Sequence, residues 1–240
     1  MSRHVYSSEF FDYIDAGSRA SAGIVSRLLI KEMPIGSLLD VGSGHGAWAA
    51  EWMCAGVSDV VAVDGDYVNP DQLAIPRDKF VAHDLSQPLE LGRRFEMVQS
   101  LEVAEHISAE FADRFVDNLV RHGDVVLFSA AVPNQGGEHH VNEQPPEYWR
   151  ALFAEQDFEC FDFLRVHLRD RREVKPWYRY NTLIYANEAG QRKLAPEALQ
   201  TRVDRVGEAG DLTWRLRKGI VRLLPRSAVD RIAILMARMN

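Results

Sequence analysis

The chain has 240 residues, a formal net charge of −7 and two cysteines, Cys54 and Cys160. That length supports one α/β domain with a substantial core, alone or with a small appendage. The charge argues against a general nucleic-acid binder, the cysteines are too few for a disulfide framework or a cysteine zinc site and fit a reducing cytoplasm, and no apolar run approaches the roughly 20 residues of a membrane span.

Residues 1–11 lack the apolar core of a signal peptide. Residues 18–32 read as a helix, with Ile24, Val25, Leu28 and Leu29 at helical spacing, stopped by Pro34 and Gly36. Residues 37–41 form a short apolar run that ends in glycines, a buried strand, and 47–55 the helix after it. Strands follow at 59–63, 79–82, 95–101 and 124–130, with a helix over 111–120. Strands alternating with helices predict a parallel, doubly wound sheet. Residues 134–147 are polar, rich in Gly and Pro, and too long for an ordinary connection, which marks a functional loop. A helix resumes over 148–155, two late strands are expected at 158–164 and 182–186, and 188–211 reads as a linker with short helices. Residues 212–239 read as one or two amphipathic helices broken near Pro225. Arg215, Arg217, Lys218, Arg222, Arg226, Arg231 and Arg238 make this tail basic against an acidic body.

The strongest local signal is Leu39-Asp40-Val41-Gly42-Ser43-Gly44-His45-Gly46. Glycines at a strand end allow a tight turn and close backbone approach to a ligand, and the following helix offers free N–H groups. Asp64 ends the next strand about twenty residues on, where an acid can accept hydrogen bonds from ribose hydroxyls. Gly42, Gly44 and Ala47 also satisfy the loose dinucleotide fingerprint, so an NAD-linked oxidoreductase is a competing class. Two acids favour a methyl donor instead. Asp40 lies inside the strand end, where its carboxylate can face a cationic amino group. Asp84, in His83-Asp84-Leu85, follows the third strand, placed to meet an adenine amino group. Singly, Asp64 and Asp84 read equally well as helix caps or turn acids; three acids at sheet-end positions read as a site.

With these residues the chain resembles the class I S-adenosylmethionine-dependent methyltransferases from about Tyr6 to Ala186. It is similar more closely to a bacterial subgroup linked to sugar or polysaccharide modification. The residues that carry this are 95–106 (FEMVQSLEVAEH), 127–137 (LFSAAVPNQGG), 140–144 (HVNEQ), Tyr148-Trp149 and Trp177-Tyr178-Arg179. The chain departs from the subgroup at Pro145, where Trp is common, and at Tyr180, where Gln is common; both fall near the expected acceptor pocket. The resemblance implies a Rossmann-like fold: a doubly wound, mostly parallel sheet of seven strands with the last antiparallel. A methyltransferase domain would occupy 1–190 and a basic helical extension 191–240. It implies S-adenosylmethionine as cofactor, touching Asp40, Gly42, Gly44, Asp64, Gly65, Asp84, Leu85 and the region of Leu101.

The implied chemistry is methyl transfer to a carbohydrate hydroxyl in the cytoplasm, with a small-molecule or lipid-linked acceptor as the nearest rival and a non-catalytic binding protein as a third class. The donor is already activated, so the protein mainly positions the partners, while a hydroxyl needs a base or a metal ion to take its proton. Glu102 and His106, four apart, are expected to share a helix face with Glu105 beside it; Glu102 and Glu105 can also read as ordinary first-turn helix acids. His140 is the preferred base: it aligns with the subgroup motif, and an ordinary imidazole titrates near 6.5, about working pH. His106 is the second choice and Glu102 the third catalytic candidate. Glu102, Glu105 and His106 are the set that could hold Mg²⁺. Tyr148, Trp149, Trp177 and Tyr178 could stack on a sugar ring, with core packing the better reading for Trp149. The basic tail reads as a packing or homodimer surface, or as a peripheral membrane contact.

Overall fold

The computed structural model describes residues 8–225, 228–229 and 231–233, with side chains from residue 17 onward. Helix α1 (Ser8–Glu32) leads into β1 (Ser37–Val41), α2 (Ala47–Cys54), β2 (Asp59–Asp64), β3 (Phe80–Ala82) and β4 (Met97–Leu101). Then come α3 (Ala112–His122), β5 (Val125–Ser129), α4 (Pro146–Glu155), β6 (Glu159–Phe161), α5 (Phe163–Leu168), α6 (Pro176–Asn181) and β7 (Leu183–Ala186). Helices α7 (Glu188–Gln191) and α8 (Pro196–Leu199), strand β8 (Arg202–Val203) and α9 (Leu212–Val221) complete the described chain.

The strands form one sheet in the order β3-β2-β1-β4-β5-β7-β6-β8. β1 to β5 pair in parallel, and β7 runs antiparallel between β5 and β6. An antiparallel strand inserted there departs from the all-parallel 3-2-1-4-5-6 order of dinucleotide-binding sheets. Both faces are covered, which is why β4 and β5 are buried at every position. Leu38, Met97, Leu127 and Ile184 face α1, α2 and α5, while Leu39, Val98, Val126 and Tyr185 face α3 and α4. On the second face Phe153 stacks on Tyr185 with centroids 3.9 Å apart, and Phe128 tilts against Trp149. Trp149 is therefore a core side chain. At the opposite end of β5 from the glycine loop, Asp124 gathers Arg94, Asn187 and Lys193. Burial pushes its carboxyl up, but these three donors together outweigh it and hold the group at about 2.

Several expectations are corrected. The sheet has eight strands rather than seven, because Arg202 and Val203 pair with Phe161 and Cys160 at the edge. The stretch expected as a linker is thereby part of the sheet, and Asp162 N–H bonds the Thr201 carbonyl beside it. The strand expected to run to Leu164 stops at Phe161; Phe163, Leu164 and Leu168 are buried at helical spacing in α5 instead. Helix α6, opened by Pro176, had no strong periodic signal. Helix α1 begins ten residues before the expected start at 18. Of the basic tail, α9 is capped by Asp211, whose Oδ1 accepts from Trp214 N–H at 2.8 Å. Trp214 is buried, while Leu212, Leu216, Ile220 and Leu223 form a stripe 58–83 % exposed. The expected helical stretch beyond Pro225 lies in part outside the described residues.

Candidate active site

Register brings the first group of polar residues together. β1 pairs with both β2 and β4, so Asp40 stands beside Ala62 on one side and Gln99 on the other. Asp40 is buried, and neither its Oδ2 nor Gln99 Nε2 has a hydrogen-bond partner. Gln99 is fixed from below, its Oε1 accepting from Trp52 Nε1 at 2.7 Å. Burial drives the Asp40 carboxyl up to about 7; the Gln99 amide opposes the rise and the nearby Asp64 charge adds to it. A buried acid short of donors is suited to a cationic group on a ligand.

After β1 the chain turns through Gly42, Gly44 and Gly46 at φ of 82°, 54° and 82°. A Cβ at Gly42 would fall 2.3 Å from Val103, so the turn demands glycine twice over. Gly42 and Ser43 N–H groups both bond the Val63 carbonyl. Asp64, at the end of β2, ties the loop down: its Oδ2 accepts from Gly44 N–H at 2.7 Å, and its Oδ1 from Gly65 N–H at 2.6 Å and from the Tyr67 hydroxyl. Burial pushes its carboxyl up, and the Tyr67, Gly44 and Gly65 donors pull against that rise. Tyr67 is a site residue that no sequence pattern marked. Asp84 is exposed and accepts from Ser86 N–H and Oγ at 3.0 and 2.7 Å, the turn-acid arrangement, while Leu85 beside it and Leu101 at the end of β4 are buried.

The second group gathers where β4 and β5 end. Glu102 does not open a helix. It sits at φ 57°, and only the three-residue turn Ala104–His106 follows, so Glu102 and His106 share no helix face. Glu102 Oε2 accepts from Gln135 Nε2 at 2.6 Å and Oε1 from Asn181 Nδ2 at 3.2 Å; Asn181 also donates to Gln135 Oε1 at 2.8 Å. Burial raises the Glu102 carboxyl against the pull of these amides. Glu105 turns inward, 1 % exposed, with Oε2 unpartnered. Burial first and the Glu102 charge second hold its carboxyl well above the usual range. Its carbonyl accepts from both Val141 and Asn142 N–H at 2.9 Å, which pins the long loop over the turn.

That loop delivers His140. Its Nδ1 lies 2.9 Å from Glu143 Oε1, and Glu143 is fixed by Gly136 N–H on Oε1 and Asn134 N–H on Oε2, both at 2.8 Å. Burial pushes the Glu143 carboxyl up, but the His140 bond and charge and these N–H donors outweigh it and leave the group lowered. In the neutral ring an ionised Glu143 favours the tautomer with its proton on Nδ1, which leaves Nε2 as an acceptor, and in the imidazolium the same carboxylate faces the charge. Nε2 lies 4.0 Å from Glu105 Oε1, and the His140 ring meets His106 edge-on, centroids 5.0 Å apart. A Cβ at Gly137 would come 2.1 Å from His140 Nε2, so glycine there leaves room for the imidazole. The ligand atoms that converge to within 4.8 Å belong to Glu105, His106 and His140. The expected trio had Glu102 in place of His140; both Glu102 oxygens accept from amides instead.

Gln135 is a further member to which sequence reading gave no role; Glu143 and Asn181 are polar groups that the sequence offers for the base or metal, and Gln135 and Asn181 reach Glu102 only through contacts across 33 and 79 positions of chain. Tyr178, a ring the sequence offers for stacking on a sugar, is buried, bonded to Ser18 Oγ at 2.9 Å and edge-on to Trp48, and burial pushes its hydroxyl up to about 12.

No protein-family model matches the chain and no curated protein matches it in sequence. Solved structures do. The sugar N-methyltransferase KedS8 from Streptoalloteichus sp ATCC 53650 superposes with a TM-score of 0.58 at 17 % identity, over 78 % of this chain and 97 % of that one. The CcbJ methyltransferase from Streptomyces caelestis gives 0.54 at 13 %, over 72 % and 98 %. Magnesium protoporphyrin IX methyltransferase (ChlM) from Synechocystis PCC 6803, solved with bound S-adenosylhomocysteine, gives 0.50 at 17 %, over 74 % and 86 %. At these identities the likeness is one of architecture: the chain has the Rossmann-like fold of the S-adenosylmethionine-dependent methyltransferases.

Proposed function

We propose that the chain is an S-adenosylmethionine-dependent O-methyltransferase acting on a hydroxyl of a sugar or polysaccharide intermediate. The observation that carries this reading is the His140–Glu143 pair set beside the buried strand-end acids of a methyltransferase fold. The bare, buried Asp40 Oδ2 fits the cationic amino group of the donor, Asp64 retains acceptor capacity for ribose hydroxyls, and Asp84, an exposed turn acid after β3, is the candidate to meet the adenine amino group. The donor supplies a methyl carbon already activated by its sulfonium. As the acceptor oxygen bonds that carbon and the carbon–sulfur bond breaks, His140 Nε2 takes the hydroxyl proton and Glu143 stabilises the imidazolium. Glu102, Gln135 and Asn181 offer acceptors and donors for neighbouring hydroxyls. A small-molecule or lipid-linked acceptor would use the same residues. The NAD-linked alternative gains no support from the strand order and leaves Asp40 without a role.

One observation favours a second reading of the proton's fate. Glu105, His106 and His140 could hold a divalent cation, and a cation there would occupy the Nε2 lone pair that the base needs. Two imidazoles and one carboxylate suit Mn²⁺ or Zn²⁺ better than Mg²⁺, which prefers oxygen. The test is calorimetric titration with S-adenosylhomocysteine and, separately, NAD, followed by methyl-transfer assays on sugars before and after chelation. S-adenosylhomocysteine binding with turnover that survives chelation supports His140 as the base. Turnover abolished by chelation and restored by Mn²⁺ supports the metal. NAD binding alone sinks the proposal.

For partners, the exposed stripe Leu212, Leu216, Ile220 and Leu223 runs beside Arg215 and Arg222. It supports either a homodimer contact or attachment to an anionic membrane. Gel filtration across a concentration series and co-sedimentation with anionic vesicles separate the two. Among the described residues, no helix is long and apolar enough to cross a membrane.

A further inference from the structure

Outside the strand-end crevice lies a cavity lined largely by charged residues. It has a volume of about 510 Å³ and lies between α5, α6 and the start of α9. Its lining includes five arginines, Arg165, Arg169, Arg172, Arg179 and Arg215, against Asp162, Asp170 and Asp211. In a chain of net charge −7 this is a local reversal of sign.

The acids meet only part of this charge. Asp162 is taken up by Arg165, through Nε at 2.7 Å and Nη2 at 2.6 Å. Asp211 is the cap of α9, accepting from Thr213 Oγ1 and Trp214 N–H; these bonds first, then the Tyr180 hydroxyl and the Arg179 charge, outweigh its slight burial and hold its carboxyl at about 2, so Arg179 has one acid near it. Arg169, Arg172 and Arg215 make no salt bridge among the described residues. Arg179 is only 8 % exposed, and its Nε is buried without a hydrogen-bond partner. Its guanidinium carbon lies 4.6 Å from the centre of the Tyr180 ring, which holds the plane of the group in place. A buried guanidinium with an unmet donor is costly unless something accepts from it.

We infer that this cavity binds a phosphate-bearing ligand, with Arg179 at its buried floor and Arg169, Arg172 and Arg215 around its rim. Guanidinium forks match phosphate oxygens two at a time, and several unneutralised arginines fit a diphosphate better than a single carboxylate. α6 connects the two sites: Arg179 and Tyr180 line this cavity, while the next residue, Asn181, donates to Glu102 in the crevice. On the methyltransferase reading, to which this assignment of the ligand belongs, the phosphate is the charged end of the acceptor: a sugar phosphate or diphosphate, soluble or lipid-linked.

The test is calorimetry on the full chain at low salt with inorganic pyrophosphate. Pyrophosphate should bind, and Arg179→Gln should weaken it about tenfold or more, the loss expected for a charge-assisted hydrogen bond. Because a floor variant could fold poorly, the rim double variant Arg169→Gln/Arg172→Gln is measured alongside and should also weaken binding. Absence of pyrophosphate binding to the wild type, or binding that neither variant changes, overturns the inference. Binding to phosphatidylglycerol vesicles without binding to pyrophosphate also overturns it, and assigns the arginines to a membrane face. Vesicle binding that pyrophosphate competes away supports it and points to a lipid-linked source. S-adenosylhomocysteine is titrated into the same samples. If it fails to bind while pyrophosphate binds through Arg179, the donor reading falls and the phosphate site stands.

Discussion

The crevice at the strand ends has two halves that hold their acids in different ways. In the half formed by β1 and β2, Asp64 is met by backbone N–H groups of the glycine loop and by Tyr67, while Asp40 is left with a bare oxygen. In the half formed by β4, β5 and the long loop, Glu102 and Glu143 are met by side-chain amides, an imidazole and loop N–H groups. The first half is a rigid cradle built from one turn. The second is a network assembled from four segments, in which moving one member disturbs the others. Binding should therefore fail when the first half is cut, and turnover when the second is.

The largest effect expected is on turnover. His140→Ala should lower it about 100-fold or more with donor affinity unchanged, read by steady-state assay and calorimetry on the same protein. Nearly full turnover would remove the base assignment. Gly137→Ala sharpens the point, since its added methyl displaces the imidazole from Glu143. It should cut turnover severely while leaving the melting temperature close to wild type. An equal loss of both would make Gly137 a folding residue.

In the first half, Asp64→Ala should weaken S-adenosylhomocysteine binding about tenfold or more, as expected for lost bonds to a charged group; unchanged affinity takes Asp64 out of the donor site. Asp40 gives a smaller effect, dependent on pH. Its carboxyl titrates at about 7 and a cationic ligand needs it charged, so affinity should rise from pH 6 to pH 8, and Asp40→Asn should flatten the profile. For the ligand-free chain the sign reverses. A raised acid contributes stability in full below its unfolded value of about 3.9 and loses it as pH rises through about 7. The melting temperature of Asp40→Asn should therefore gain on wild type between pH 5 and pH 8. A constant difference would contradict the raised value.

The smallest effect belongs to Asp124, far from either half. Held at about 2, it contributes stability above its unfolded value of about 3.9 that disappears as pH falls through about 2. Asp124→Asn should melt below wild type at neutral pH and match it in strong acid.

The same contrast explains what could be read in the sequence. Strand ends, glycines and their acids are contiguous in the chain, so Asp40, Gly42, Gly44 and Asp64 announce themselves by spacing. The second half was visible only as residue types. Nothing local says that Asn181 reaches Glu102 or that Glu105 rather than Glu102 joins the two histidines, whereas Glu143 and His140, three apart, are near neighbours in one loop. The eighth strand escaped for a related reason: two residues at a sheet edge carry no alternation to detect.

Glu102 holds a left-handed backbone, φ 57°, that a branched or bulky side chain tolerates poorly and that glycine or asparagine adopts with less strain. Selection for heat resistance alone should then erode this position toward glycine, trading the acid for a relaxed turn. Persistence of glutamate at 102 under selection that rewards activity, and its loss in a population selected only for solubility and heat, would mark the residue as kept for its chemistry. Directed evolution thus offers a reading of Glu102 that requires no knowledge of the acceptor.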